Sequence, residues 1–297
     1  MRARAGHIAL IAAVTGFSVP LGPTERASAA NPGFRGPDGA TLPFGTTAEA
    51  LDYLQTARIV SDERAPGGIN GARKVLLERD GVRAHAIFRE VAIEKFLEEL
   101  QGGRLAPFFR DHYVNEVAAF ELSELLGLHT VPPTVLRRWR HKDGSLQLWV
   151  EGVLSAEQVE EREKQPVWRL KRGMQVTCMR LFDLLINNID RNLGNFLTDD
   201  TGRIWYVDHT RTFSRIRELA QPEIRFAIPR ELWQRLTEVS DTELSSAVCD
   251  YLPKMEIEAL LERRRLLVAE LGTRAEAQGG DELFSLQYAF TPTASVR

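Results

Sequence analysis

The sequence predicts an α+β protein in two lobes, a small strand-rich one followed by a mostly helical one. Three observations point there. Short apolar runs around Asp-Gly turns fill residues 73–88 and 134–150 and read as hairpins. Residues 111–126 and 174–189 carry apolar side chains at helical spacing. From about 228 to 278 three further helical patterns follow one another. Strands first and helices after is the order of an α+β fold, not of alternating βαβ units.

The elements follow in order. Arg2, Arg4 and His7 precede the apolar run Ile8–Val14, and Ala27-Ser28-Ala29 supplies an A-x-A site, so residues 1–29 read as a secretory signal peptide cut after Ala29. The protein is then expected to be exported, periplasmic or extracellular; without that signal it would be cytoplasmic. Thr15, Gly16, Ser18 and Pro20 break the run too often for a spanning helix, and no other stretch is long enough. Residues 30–46, rich in Gly, Pro and Thr, read as a linker. Thr47 can cap a helix over AEALDYLQTA. The first lobe is expected over 47–152. It contains a glycine-rich loop at Pro66–Gly71, the hairpin Lys74–Glu78 and Ala84–Phe88 about Asp80-Gly81, the 111–126 helix stopped by Gly127, and a second hairpin about Lys142–Ser145. The second lobe is expected over 153–278. It opens with a charged helix or connection at 155–165, then the 174–189 helix and two short strands, 196–197 and 204–207, joined by a polar turn. A polar tail, 279–297, ends the chain.

Composition narrows the function. The chain has 297 residues, 43% hydrophobic and 27% charged, which is globular usage and excludes disordered, collagen-like and multi-span membrane proteins. With 38 basic and 41 acidic residues, no bulk positive charge favours nucleic acid as a partner. Cys178 and Cys249 are too few for a zinc ribbon; they either pair or stay separate thiols. No Gly-x-Ser-x-Gly, Walker A lysine or His-Glu-x-x-His pattern is present, so hydrolase, P-loop and zincin chemistries lose their main support.

Chemistry concentrates at Asn187–Asn195, a polar cluster directly after the apolar 174–189 helix. Burying such groups is unfavourable without partners, so the cluster either caps the helix and hairpin or builds a site. Asp190 and Asn195 are five residues apart, and Asp208 ends an apolar strand thirteen residues later. Together they can present three oxygens to one cleft, a donor set that suits Mg²⁺ carrying nucleotide phosphates. Arg191 reads as a support for the loop and His209 as a neighbour of the site rather than a metal ligand. The five tryptophans read as core.

Asp190-Arg191-Asn192-x-x-Asn195 followed by Asp208-His209 resembles the catalytic and metal-binding segments of the phosphatidylinositol 3- and 4-kinase-like group, whose loop reads D-R-H-x-x-N. The segments FREVAIEK, NEVAAFELSELLGLHTVPPTV, GSLQLWVEG and RLFDLLINNIDRNLGNFLTDDTGRIWYVDHTRTF resemble a family of bacterial proteins with this kinase-like fold. The secretory-pathway kinases and the HipA kinases are more distant members of the same group. The resemblance covers about residues 47–270. It implies a protein-kinase-like fold, ATP with Mg²⁺ or Mn²⁺ as cofactors, and transfer of a phosphoryl group to an acceptor, protein or small molecule, that the sequence does not identify.

By the same resemblance Asp190 would orient or deprotonate the attacking hydroxyl, and Asn195 and Asp208 would hold metal. Glu116 would pair with the phosphate-contacting cation. Trp149, Val150 and Glu151 would form the hinge against adenine, with Gly67, Gly68 and Gly71 near the phosphates. The sequence departs from the pattern where a Lys is expected: Arg89 stands there, and Lys74 is the nearby Lys that could compensate. Asn192 replaces the loop His, and no H-R-D, D-F-G or A-P-E of the ordinary protein kinases is present. The Arg89 substitution leaves a catalytically silent nucleotide-binding scaffold as an alternative, and transfer of AMP on the same fold as another.

Overall fold

A computed structural model describes residues 33–65, 71–100 and 102–285. The expected signal peptide, Gly67, Gly68 and the end of the tail lie outside the described residues. Helix α1 (Thr47–Thr56) starts at a capping box, in which Glu49 N donates to Thr46 Oγ1 and Thr46 N donates to Glu49 Oε2 at 3.0 Å. Strands β1 (Arg58–Arg64), β2 (Arg73–Arg79) and β3 (Val82–Arg89) follow. Asp80 and Gly81 both take positive φ, 54° and 78°, as a two-residue hairpin turn requires. Then come β4 (Ala92–Glu99), β5 (Leu105–His112), helix α2 (Val114–Leu125), β6 (Thr134–Trp139) and β7 (Lys142–Leu148).

Five strands form one sheet in the order β1-β2-β3-β7-β6. Both expected hairpins are in it, joined where β3 pairs antiparallel with β7 from Ala86↔Leu148 to Arg89↔Ser145. Its second turn differs from the sequence reading. Arg140 and His141, at φ 49° and 65°, make the reversal, and Lys142–Ser145 belong to β7. Gly144 is there for packing: a Cβ would lie 2.4 Å from Arg89 O and 2.6 Å from the Phe88 ring. Strands β4 and β5 pair only with each other, a hairpin outside the main sheet that the sequence reading did not mark. Because Asp111 and His112 pair with Ile93 and Ala92 in it, α2 starts three residues later than its apolar spacing predicts.

The second lobe contains α3 (Ala156–Glu163), α4 (Pro166–Ile186), a 3-10 turn at Leu193–Asn195, β8 (Phe196–Thr198) and β9 (Ile204–Tyr206). Next are β10 (Ile228–Pro229), α5 (Arg230–Glu238), α6 (Asp241–Val248), α7 (Lys254–Gln278), α8 (Gly280–Leu283) and β11 (Phe284–Ser285). Pro166 at the first turn starts α4 well before the expected 174, since proline fits a helix N-terminus. The largest apolar cluster lies here, built on α4, α7 and the buried side of α2. No helix among the described residues is long and apolar enough to cross a membrane.

Two expectations about chain ends change. Residues 33–46 do not behave as a linker: Phe34, Leu42 and Phe44 are buried in the first-lobe cluster. The Phe34 ring lies 4.8 Å from that of Trp205, and Arg35 reaches Asp200 in the β8–β9 turn at 2.6 Å. The polar tail begins packed, with Phe284 stacked on Trp233 at 4.9 Å and β11 pairing with β10. In both segments large apolar side chains are buried among small and polar neighbours, and each contributes about 1.5–3 kcal/mol.

Candidate active site

The loop after α4 is organised by Asp183, one turn from the helix end. Asn187 closes the helix in the left-handed region at φ 51°. Asp183 then accepts from Asn188 Nδ2 at 2.9 Å and takes a two-pronged bond from Arg191, Nε and Nη2 lying 2.9 and 2.8 Å from its oxygens. Arg191 Nη1 donates to the backbone oxygens of Asn195 and Val207. One guanidinium thus ties the helix, the loop and the end of β9 together, and the sequence reading of Arg191 as a support agrees with this geometry. Asn195 Nδ2 donates to Asp190 O at 2.9 Å, which fixes the amide with Oδ1 as its open acceptor.

A buried ionic group lies across the cleft. Arg89, at the end of β3, brings Nε to 3.4 Å from Glu116 Oε1 and 3.6 Å from Asp208 Oδ1. Burial alone would lower the arginine's pKa, but Glu116, Asp208 and Asp111 outweigh it and raise it. Glu116 is fully buried in the first turn of α2. Desolvation pushes its carboxyl upward, yet Arg89 and His209 hold it below the ordinary glutamate value. His209 N donates to Glu116 Oε1 at 3.1 Å. Arg191 Nη2 can only donate, so its 3.1 Å contact makes His209 Nε2 the acceptor and leaves the ring proton on Nδ1, 3.5 Å from Glu116 Oε2. Asp208 itself sits at φ 61°, a conformation that a non-glycine residue holds only when its surroundings fix it.

Asp190 faces this group from the loop. Its N–H donates to Asn188 Oδ1 at 3.0 Å, and its Oδ2 accepts from Arg211 Nη1 at 3.2 Å. Desolvation raises its pKa first; Arg211 and Arg104 oppose this, while Asp208 and Asp111 add to it. Arg211 also donates from Nε to Asp111 Oδ2 at 2.9 Å. Neither Arg211 nor Asp111 was picked out from the sequence. They are a hundred residues apart, and an Asp at the head of the 111–126 helical pattern carries no motif.

Arg89, Asp190, Asn195, Asp208 and Arg211 all line one cavity of about 1130 Å³ between the lobes. Trp149, Val150 and Glu151 form another part of its wall, and Glu151 Oε1 is 2.6 Å from His85 Nδ1. Glu116 lies behind Arg89 rather than in the wall. Gly71 takes φ 75° beside the strand that enters this wall. Lys74 is not among the residues that line the cavity: its ammonium lies 4.7 Å over the Trp149 ring, and Arg89 pairs with Glu116. Cys178 is buried and Cys249 exposed, and neither forms a disulfide.

No protein-family model matches the sequence. Protein Rv2133c of Mycobacterium tuberculosis is 27% identical over 158 residues, which span 43% of this chain and 54% of that protein, about half its length. Among solved structures, hydra Fam20 with sugar aligns with a TM-score of 0.61 at 15% identity, covering 80% of this chain and 92% of that one. The Golgi casein kinase with Mn/ADP bound aligns at 0.57 and 15% identity, covering 80% and 78%. The β-sheet lobe, the helical lobe and these alignments agree: the chain has a two-lobed, α+β kinase-like fold.

Proposed function

We propose that this chain is an exported ATP-dependent phosphotransferase acting through the cleft between its lobes. The carrying observation is that Asp190, Asn195 and Asp208 share one cavity with a buried Arg89. The residues fit a nucleotide with a divalent cation. Asn195 and Asp208 offer the hard oxygens that Mg²⁺ or Mn²⁺ takes. Arg89 Nη1, buried and without a hydrogen-bond partner, suits a phosphate oxygen. The Golgi casein kinase structure with Mn/ADP supports the choice of cofactor.

Bound metal–ATP supplies the transferable phosphoryl group and part of the charge neutralisation. The chain does the rest by placement. Trp149, Val150 and Glu151 hold the base, and Gly71 lets backbone approach the phosphates. Glu116 holds Arg89 toward them, and Asn195 and Asp208 hold the metal. Asp190 orients the acceptor hydroxyl and takes its proton at a carboxylate oxygen. The Arg89–Glu116 pair supports an intact site over a lapsed one, because the cation stands on its carboxylate partner despite the change of residue. Export rests on the basic, apolar and A-x-A pattern of residues 1–29.

Calorimetry and product mass test this reading. Wild-type chain should bind Mg-ATP and, with Mn²⁺ or Mg²⁺, add phosphate rather than AMP to itself or an acceptor. Asp208→Ala should abolish metal-dependent nucleotide binding. A folded Asp208→Ala chain with unchanged Mg-ATP affinity would refute the site.

A further inference from the structure

We infer that Arg211 is a positioning residue for Asp190, anchored in turn by the buried Asp111 of the β4–β5 hairpin. The inference rests on the phosphotransferase reading above and adds residues that the kinase motifs do not contain. Arg211 spends two separate donors on two carboxylates, Nε on Asp111 at 2.9 Å and Nη1 on Asp190 at 3.2 Å. The Asp111 side chain is 2% exposed and that of Asp190 is 40% exposed, so the brace has one fixed end and one working end. The fixed end is held beyond this ion pair. His112 N donates to Thr210 O at 2.9 Å, and Asn115 Nδ2 donates to Thr210 O and Thr212 O at 2.7 and 3.1 Å. Ile189 N reaches Arg211 O at 3.3 Å, which links the backbone beside Asp190 to the same segment.

The chemistry explains why a cation belongs there. Asp190 stands close to the carboxylates of Asp208 and Asp111, which repel its own. Arg211 counters that and holds the carboxylate in one direction, so that the other oxygen faces the acceptor. Arg104, the other cation near Asp190, spends Nη2 on Ile189 O at 2.7 Å and forms no ion pair with Asp190. Asp111 does not line the cavity, and its ion pair with Arg211 links it to the groups that do.

The test is a coupling measurement on full-length chain, with Mn²⁺-dependent ADP release and calorimetric ATP affinity as readouts. Arg211→Ala should lower kcat by roughly 10–100-fold with the KM for ATP unchanged, the order expected for a misplaced catalytic group. Arg211→Lys should recover part of the loss, and Asp111→Asn should lower kcat in the same way. In an Asp190→Ala background, Arg211→Ala should cause no further loss, because residues acting as a unit are not additive. A wild-type kcat for Arg211→Ala, or an undiminished loss on top of Asp190→Ala, overturns the inference and leaves the site reading intact. An Asp190→Ala chain as active as wild type sinks the site reading instead. If Arg211→Ala fails to fold, Arg211→Lys and Asp111→Asn carry the same comparison. If no chain releases ADP, a crystal structure of Arg211→Met decides: an unmoved Asp190 side chain overturns the brace, and a rotated one upholds it.

Discussion

The cleft has two unlike walls. On one side the 187–213 segment is cross-bonded in almost every direction: Arg191 to Asp183, Asn195 to Asp190, Phe213 N to Ile186 O at 2.7 Å. On the other, the β4–β5 hairpin leaves Phe96 77% and Leu105 59% exposed, although Asp111 and Phe109 at its base are buried. The first wall fixes polar groups by giving each a partner. The second buries its base, while toward its tip the side chains are mostly exposed and Arg104 reaches across to Ile189 O. Polar cross-bonding in this protein does not follow regular secondary structure: the densely bonded wall is largely loop and the more exposed one is a strand pair.

The largest effect should come from breaking the first wall. Arg191→Leu strands Asp183, whose side chain is 11% exposed, and should remove about 3–5 kcal/mol of stability in urea unfolding. Gly144→Ala sharpens the comparison from the sheet side. Its Cβ meets the Arg89 backbone, so about 1–3 kcal/mol should be lost and nucleotide affinity should fall with it. Glu116 adds a pH signature. Its pKa in the folded chain lies below the ordinary 4.5, so its contribution is present above that value and disappears as pH falls through the folded pKa. Glu116→Gln should therefore flatten the acid limb of stability against pH. In the second wall, Phe96→Ser should change stability by no more than about 0.5 kcal/mol. The smallest perturbation is chemical labelling. Burial pushes the Cys178 thiol well above its usual range, so a maleimide should modify native chain only at Cys249.

Much of this was legible. Asp190, Asn195 and Asp208 stand out in the sequence because a five-residue step and a strand-end Asp are local patterns, and the structure brings all three to one cavity. The hairpins about Asp80 and residue 140 announced themselves by turn chemistry, though Gly144 misled about where the second one reverses. What stayed hidden was long-range. The β4 segment AIEKFLEE alternates too weakly to read as a strand, and its partner holds Pro107 and a positive-φ Phe108. Arg211 and Asp111 meet only in the folded chain. Phe34, Leu42 and Phe44 are single aromatic and aliphatic residues among glycines and prolines, and nothing local says what they cover.

That last segment has a mechanical consequence. Arg35 holds Asp200 and passes 3.5 Å from where a Cβ would sit on Gly152, at φ 70° in the crossing between the lobes, while Phe34 packs on Trp205. The clasp ties the segment ahead of α1 to the β8–β9 turn of the second lobe through one ion pair and one ring contact. Trimming from the N-terminus therefore reaches this tie before it reaches α1. A chain cut after Ala29 keeps the clasp, with Ala30, Asn31 and Pro32 to spare. One trimmed past Arg35 keeps every residue that lines the cavity and loses this tie between the N-terminal segment and the second lobe.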